Sequence, residues 1–267
     1  MRRLLAVAFA LSLWPAVSDA ADQVQLYAAG SLRTAFDTIA ASYEKSTGVR
    51  VIAKYGASGL LRDELAGGAH ADLFASANME HPFDLSRAGK SGPVVLFARN
   101  QLCALARSGL AIDPARLLDS MLQPSIKLGT STPTADPSGD YAWEVFRKAN
   151  AIRPGAYETL SRKALKLAGG PGGATAPSDR NLYGMLVAQG RADLFLAYCT
   201  NALAAVKENP GQQMVALPDT LAVGDDYGLT VMTGASPQAY RFAMFNLSPD
   251  SQRILARFGF NAPAVPR

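Results

Sequence analysis

Short apolar runs alternate with segments of helical periodicity along the first hundred residues. Val24–Ala28, Val49–Tyr55 and Ala71–Ala77 are apolar or alternating runs that predict strands. Between them, Ser31–Tyr43 and Gly59–Leu65 carry apolar residues at helical spacing and predict helices. Because the strands and helices alternate, we expect a mainly parallel sheet with helices on both faces.

The same alternation resumes after residue 100, with a glycine-rich loop at Gly169–Gly173. Two short helices are predicted near the end of the chain, where Ser236 and Ser248 each precede a proline. The remaining predicted strands are Gln101–Ala106, Ile126–Gly129, Ala192–Cys199 and Tyr227–Met232, and the remaining predicted helices are Gly139–Asn150, Pro154–Ala168, Ser178–Gln189 and Asn201–Lys207.

Two glycine-rich turns, Ala28–Leu32 and Tyr55–Leu60, join a predicted strand to a predicted helix, and each contains a serine. The first amides of a helix have no partner within the helix, and this end carries partial positive charge. Ser31 and Ser58 therefore place hydroxyl and amide donors where they suit a small anion. A serine in front of a helix is commonly only its N-cap, which is the alternative for both residues.

The beginning of the chain has the pattern of a secretory signal peptide over residues 1–20. Two arginines precede the apolar run Leu4–Val17, and Ser18-Asp19-Ala20 is a small-residue cleavage site. Hydrophobic content of 49% with 18% charged residues is typical of a soluble globular protein. We therefore expect an exported protein that is soluble in the periplasm.

Charge and metal-ligand content exclude two classes of function. The formal net charge of +4 falls to +3 when residues 1–20 are removed, and the cations form no basic stripe, so nucleic-acid binding is not expected. His70 and His81 are the only histidines, and there is no Cys-x-x-Cys motif. A cation site built from protein side chains is therefore not expected.

The two cysteines, Cys103 and Cys199, both fall in predicted strands. An oxidising compartment permits a disulfide between them. Since bridging neighbouring strands of one sheet is geometrically awkward, buried free thiols are the favoured interpretation and a disulfide is the alternative.

Several stretches together resemble the periplasmic molybdate-binding proteins of ABC importers, which are two-lobed solute-binding proteins. The resemblance extends over most of the chain after residue 20 and implies an α/β fold with the ligand in the cleft between two lobes. Lobe 1 comprises residues 21–100 and 228–267, lobe 2 comprises residues 101–227, and the chain crosses between them near Asn100 and Asp226. The matching stretches are LYAAGSLRTAFDTIAASYEKSTGVRV (26–51), YGASGLLRDELAGGAHADLFASA (55–77), PSGDYAWEVF (137–146), GRADLFLAYCTNA (190–202) and RILARFGF (253–260).

The resemblance also implies which residues bind the ligand, a bare tetrahedral dianion held by uncharged donors. Ser31 and Ser58 supply donors from lobe 1, while Ser138 and the Tyr198 hydroxyl supply them from lobe 2. Arg180 departs from the pattern, because the family usually has an apolar residue there that donates only its backbone N–H. An arginine adds a fixed charge and a planar fork of donors, and its alternative is a solvent-facing position.

These observations predict a binding protein for molybdate or tungstate that is monomeric, needs no cofactor, and delivers the ion to a permease with its cytoplasmic ATPase. Three alternatives stay open. The first is a binding protein for a different small anion, which Arg180 favours. The second is an exported serine-dependent hydrolase, which needs a base beside the serine. The third is a sensor that binds the same anion without transporting it. The segment Gly56–Leu60 misses the Gly-x-Ser-x-Gly hydrolase motif by one place, which argues against the enzyme.

Overall fold

The computed structural model describes residues 23–177 and 180–261. Its strands are β1 (Gln23–Ala29), β2 (Arg50–Gly56), β3 (Leu73–Ser76), β4 (Val95–Ala106), β5 (Leu128–Ser131), β6 (Leu165–Ala168), β7 (Leu194–Tyr198), β8 (Gln213–Ala216) and β9 (Gly224–Val231). Its helices are α1 (Arg33–Thr47), α2 (Ser58–Ala66), α3 (Glu80–Arg87), α4 (Leu117–Leu122), α5 (Pro137–Ile152), α6 (Ala156–Lys163), α7 (Leu182–Ala188), α8 (Cys199–Glu208), α9 (Pro237–Asn246) and α10 (Pro249–Arg257).

The strands form one mixed sheet in the order β2-β1-β3-β9-β4-β7-β5-β6, with β8 also pairing with β4. The outer pairs β1–β2, β1–β3, β5–β6 and β5–β7 are parallel, as strand–helix alternation predicts. All pairs made by β4 and β9 are antiparallel. The predicted α/β class is confirmed, and the antiparallel strands are confined to the middle of the sheet.

Strand β4 belongs to two parts of this sheet. Its beginning pairs with β9, and Leu102–Ala106 pairs with β7, with β8 along Cys103–Ala106. We call β1, β2, β3, β9 and the start of β4 the first half-sheet, and the rest the second half-sheet. The chain passes between them along β4 and β9, where Asn100 lies opposite Asp225. The predicted lobe boundaries stay a prediction.

The helices bury the faces that the apolar spacing predicts. On α1 these are Ala35, Phe36, Ile39 and Tyr43. Phe36 also contacts Phe97 of β4, with 5.6 Å between ring centroids. Burial of a large apolar side chain contributes about 1.5–3 kcal/mol to the stability of the fold. Such contacts therefore hold the beginning of each helix in place relative to the ends of the strands.

Two predicted helices are wrong in part. The predicted helix Pro154–Ala168 ends at Lys163, and its last residues form β6 beside β5. The helix predicted from Ser178 begins at Leu182, because the Asn181 side chain caps it by accepting from the Gly184 amide at 2.8 Å. Helices α3 and α4 and strand β8 were not predicted from the sequence.

The expectation of free thiols is wrong, because Cys103 and Cys199 form a disulfide. Cys103 lies in β4, but Cys199 begins α8, just beyond the end of β7. The two Cα atoms are 4.8 Å apart, within the range that a disulfide requires. The objection to bridging two strands therefore does not apply.

Residues 1–20, assigned to a signal peptide, lie outside the described residues. Within the described part of the chain, no helix is long and apolar enough to span a membrane.

Candidate functional site

A cleft of about 580 Å³ lies where the helices of both half-sheets begin. Four of the five predicted site residues line it, namely Ser31, Ser58, Arg180 and Tyr198. The exception is Ser138, which is fully buried behind the cleft wall. The cleft therefore brings together residues from distant parts of the chain, as a ligand site between two half-sheets requires.

Ser58 is the first residue of α2 and is almost completely buried. Its hydroxyl does not cap the helix but accepts a hydrogen bond from the Ala77 amide at 3.0 Å. Among the hydrogen bonds of the described residues, the Ser58 hydroxyl makes only this one, so its own proton has no acceptor there. That proton is free to donate to a ligand in the cleft.

Ser31 lies in a single 3₁₀ turn, Gly30–Leu32, that precedes α1 and has no side-chain cap. Its hydroxyl lies 2.9 Å from the hydroxyl of Tyr227, which also accepts from the Asn100 amide at 3.1 Å. Tyr227 is fully buried, and an unused buried donor costs about 1–3 kcal/mol. Either hydroxyl can be the donor in the Ser31–Tyr227 bond, and the Ser31 proton is available to the cleft when Tyr227 donates.

The same asparagine orients a third hydroxyl, that of Thr200 in the first turn of α8. The Asn100 oxygen accepts from the Gln101 amide at 2.9 Å, which fixes its NH₂ group as the donor to Thr200 at 2.9 Å. Among the described contacts nothing accepts the Thr200 proton, and Thr200 lines the cleft. Sequence reasoning missed Thr200, although it lies in the quoted stretch 190–202.

The hydroxyl of Tyr198 is already engaged within the protein. It lies 3.1 Å from the Ala77 carbonyl oxygen and 2.9 Å from Asp225 Oδ2, so one proton faces two acceptors. Burial raises the pKa of Asp225 to about 7, although hydrogen bonds from Tyr141 and Tyr198 oppose the rise.

Ser138 also directs its donors at the protein. Asp136, the N-cap of α5, accepts from the Ser138 amide at 3.1 Å and lies 3.2 Å from its hydroxyl. Asp136 itself lines the cleft and is 9% exposed. The donors that the resemblance assigns to a ligand thus contact a carboxyl group of the chain.

Arg180 lines the cleft, but its guanidinium forms an ion pair with Glu208 of α8. Glu208 also accepts from the Asn181 amide at 2.6 Å, so it binds both residues at the start of α7. The side chain of Arg180 remains 45% exposed. Its charge is therefore largely balanced before any ligand arrives.

A backbone hydrogen bond beside Ser58 joins the two sides of the cleft. The Gly59 amide donates to the Ala135 carbonyl at 2.9 Å, joining α2 to the loop before α5. A Cβ atom at Gly59 would lie 2.4 Å from the Thr134 oxygen, so only glycine permits this approach. Thr134 itself has φ 66°, a conformation that is unfavourable for a β-branched residue.

The family model described as bacterial extracellular solute-binding protein matches residues 24–261. The chain belongs to this family. It is 28% identical to the molybdate-binding protein ModA of Escherichia coli K12 over 262 residues, which is 94% of each chain.

Two solved structures show the same fold at lower identity. The periplasmic molybdate-binding protein of Azotobacter vinelandii has a TM-score of 0.73 at 18% identity, over 91% of this chain and 100% of that one. The sulfate-binding protein SubI of Mycobacterium tuberculosis has a TM-score of 0.74 at 22% identity, over 91% of this chain and 87% of that one. The solute-binding family and the periplasmic binding protein fold expected from the sequence are confirmed.

Proposed function

We propose that the protein captures a small tetrahedral oxyanion, molybdate or tungstate, and delivers it to the permease of an ABC importer. The observation that carries this proposal is the set of three hydroxyl groups on the cleft wall, since the protons of Ser58 and Thr200 have no described acceptor and the Ser31 hydroxyl shares a single hydrogen bond with Tyr227. An oxyanion accepts many hydrogen bonds, and bonds to a charged acceptor are about twice as strong as neutral ones. Uncharged hydroxyls can thus hold the ion without a formal counter-charge.

The family supports the role of a carrier, and the resemblance supplies its partners. A solute-binding protein needs a membrane permease to receive its ligand, and the resemblance implies that the permease works with a cytoplasmic ATPase. We expect the exported protein to be a periplasmic monomer that needs no cofactor. The names of the molybdate-binding relatives support molybdate, while SubI shows the same fold in a sulfate-binding protein.

The cleft volume favours a second candidate ligand, a larger organic anion. Pockets of about 300–1,000 Å³ hold drug-sized molecules, and this cleft of about 580 Å³ lies within that range. Arg180 and Lys207 on its wall would then contact the part of the ligand beyond the oxyanion. In this case an organic phosphate binds more tightly than any inorganic ion.

The hydrolase alternative requires a general base beside the serine that acts as the nucleophile. The described residues that line the cleft include no histidine. His81 is buried on α3, and burial lowers its pKa to about 4. Since a serine nucleophile needs an adjacent base, we propose that the protein is not an enzyme.

Calorimetric titration of the exported protein with molybdate, tungstate, sulfate and inorganic phosphate tests the proposal. Molybdate and tungstate should bind more tightly than sulfate and phosphate, and Thr200→Val should weaken molybdate binding about tenfold, since a hydrogen bond to a charged group contributes about 1.5–3 kcal/mol. Thr38→Val on the exposed side of α1 is the matched control and should change nothing. Stronger binding of sulfate would overturn the ligand assignment, and an unchanged Thr200→Val affinity would overturn the donor set.

A further inference from the structure

The carboxyl group of Asp136 lies on the cleft wall, and the described groups that donate hydrogen bonds to it belong to two serines, Ser138 and Ser131. Ser138 is completely buried and donates both its amide and its hydroxyl to Asp136 Oδ1. An oxyanion that enters the cleft therefore meets a carboxyl group at the start of α5. Two unprotonated anions in one desolvated cleft repel each other.

The glycine-rich loop that begins at Gly169 packs closely against the carboxyl group of Asp136. Gly169 has φ 76°, and a Cβ atom there would lie 2.6 Å from Asp136 Oδ2. The glycine-rich loop thus packs directly against the carboxyl group, with no side chain between them. Among the described residues, Asp136 forms no ion pair, since Arg180 pairs with Glu208 instead.

The titratable groups around Asp136 provide no positive charge to balance it. They are Asp140 on α5, Tyr183 on α7 and Tyr198 at the end of β7. The described part of the adjoining loop, residues 169–177, contributes no charged side chain. Burial raises the pKa of Asp136, while the hydrogen bond from the Ser138 amide opposes the rise.

We propose that Asp136 and the bound oxyanion share one proton, so that an ion arriving without a proton takes one up when it binds. The inference rests on the proposed function, because it requires an oxyanion in this cleft. A neutral Asp136 adds a fourth hydrogen-bond donor to the three hydroxyls and removes the repulsion between two anions. Molybdate and sulfate carry no proton at neutral pH, whereas hydrogenphosphate already brings one.

Calorimetry in buffers of different ionisation enthalpy measures the proton uptake. Above the pKa of Asp136 in the free protein, molybdate binding should take up about one proton per ion, and molybdate affinity should fall about tenfold for each further unit of pH. Asp136→Asn keeps an N-cap and offers a permanent N–H donor, so it should bind molybdate without proton uptake and without this pH dependence. Asp113→Asn, the same change at the exposed N-cap of a separate 3₁₀ turn, is the control and should behave like the unchanged protein.

The outcomes separate the two proposals. Molybdate binding without proton uptake overturns the shared proton and leaves the proposed function standing. Uptake that persists in Asp136→Asn shows that another group takes the proton and overturns the role of Asp136. Failure of every oxyanion to bind overturns the proposed function, and this inference falls with it.

Discussion

The two sides of the cleft differ in what their hydrogen-bond donors contact. On the side of the first half-sheet, the Ser58 hydroxyl proton has no acceptor among the described residues, and the Ser31 hydroxyl shares one hydrogen bond with Tyr227. On the side of the second half-sheet, Ser138 donates to Asp136, and Arg180 and Asn181 donate to Glu208. Donor residues of similar type thus face the cleft on one side and contact a carboxylate of the chain on the other.

The difference shows that residue type alone does not identify a ligand donor. A donor is available only when its own neighbours leave it without an acceptor. Thr200 is the exception on the second side, because Asn100 donates to its oxygen and leaves its proton free. Substitutions on each side, and at a contact between them, measure how each side contributes to binding.

The largest effect is expected from Gly59→Ala. The new Cβ atom would lie 2.4 Å from the Thr134 oxygen and 2.7 Å from the Ala135 oxygen, so the two sides could not approach as closely. Overpacking of this kind costs about 1–3 kcal/mol, which lowers molybdate affinity by about 5–150-fold. Alanine favours a helix more than glycine does, so α2 itself should not be weakened.

Titration calorimetry and small-angle scattering measure these two consequences for Gly59→Ala. Molybdate should reduce the radius of gyration of the unchanged protein more than that of the variant. Gly92→Ala, where a Cβ atom finds its nearest contact at 3.6 Å, is the control. Equal affinity and equal compaction in both variants would show that the Gly59 contact plays no part in closure.

A smaller effect, about tenfold, is expected from Ser58→Ala and from Ser31→Ala. Each variant removes one hydroxyl donor to a charged acceptor, worth about 1.5–3 kcal/mol, and leaves the backbone amides in place. Ser138→Ala is the comparison on the other side of the cleft, and it should change molybdate affinity less because its hydroxyl lies against Asp136. A larger loss in Ser138→Ala than in Ser58→Ala, measured by the same titration, would reverse the assignment of the two sides.

The positions of Ser31 and Ser58 at the cleft could be predicted from the sequence because their signals are local. Ser31 and Ser58 each lie in a short glycine-rich turn between a strand and a helix, and that order is visible in a few residues. The second side depends on partners far along the chain, such as Asn100 with Thr200 and Asn181 with Glu208. No local pattern indicates which of these groups will be paired in the folded protein.

The errors in secondary structure have the same origin. Leu165–Ala168 continues the apolar spacing of a helix, but β5 provides a parallel strand edge that the segment pairs with instead. Two neighbouring predicted strands disfavour a disulfide, but β7 ends one residue before Cys199, and this places the two cysteines at a distance that permits the bond. In both cases a tertiary neighbour decided between two local conformations that the residues allow.

The smallest effect is expected from Arg180→Ala, and it decides whether the second side contributes a charge to binding. The guanidinium is paired with Glu208 and 45% exposed, and exposed ion pairs are worth about 0–1 kcal/mol. Molybdate affinity should therefore change by less than about twofold, which is about 0.4 kcal/mol. Glu208→Gln sharpens the test, because it leaves the arginine without its counter-charge and should strengthen binding of a dianion. A tenfold loss in Arg180→Ala would instead make Arg180 a ligand contact, and the second side of the cleft would then bind the ion through charge where the first side binds it through hydroxyl groups.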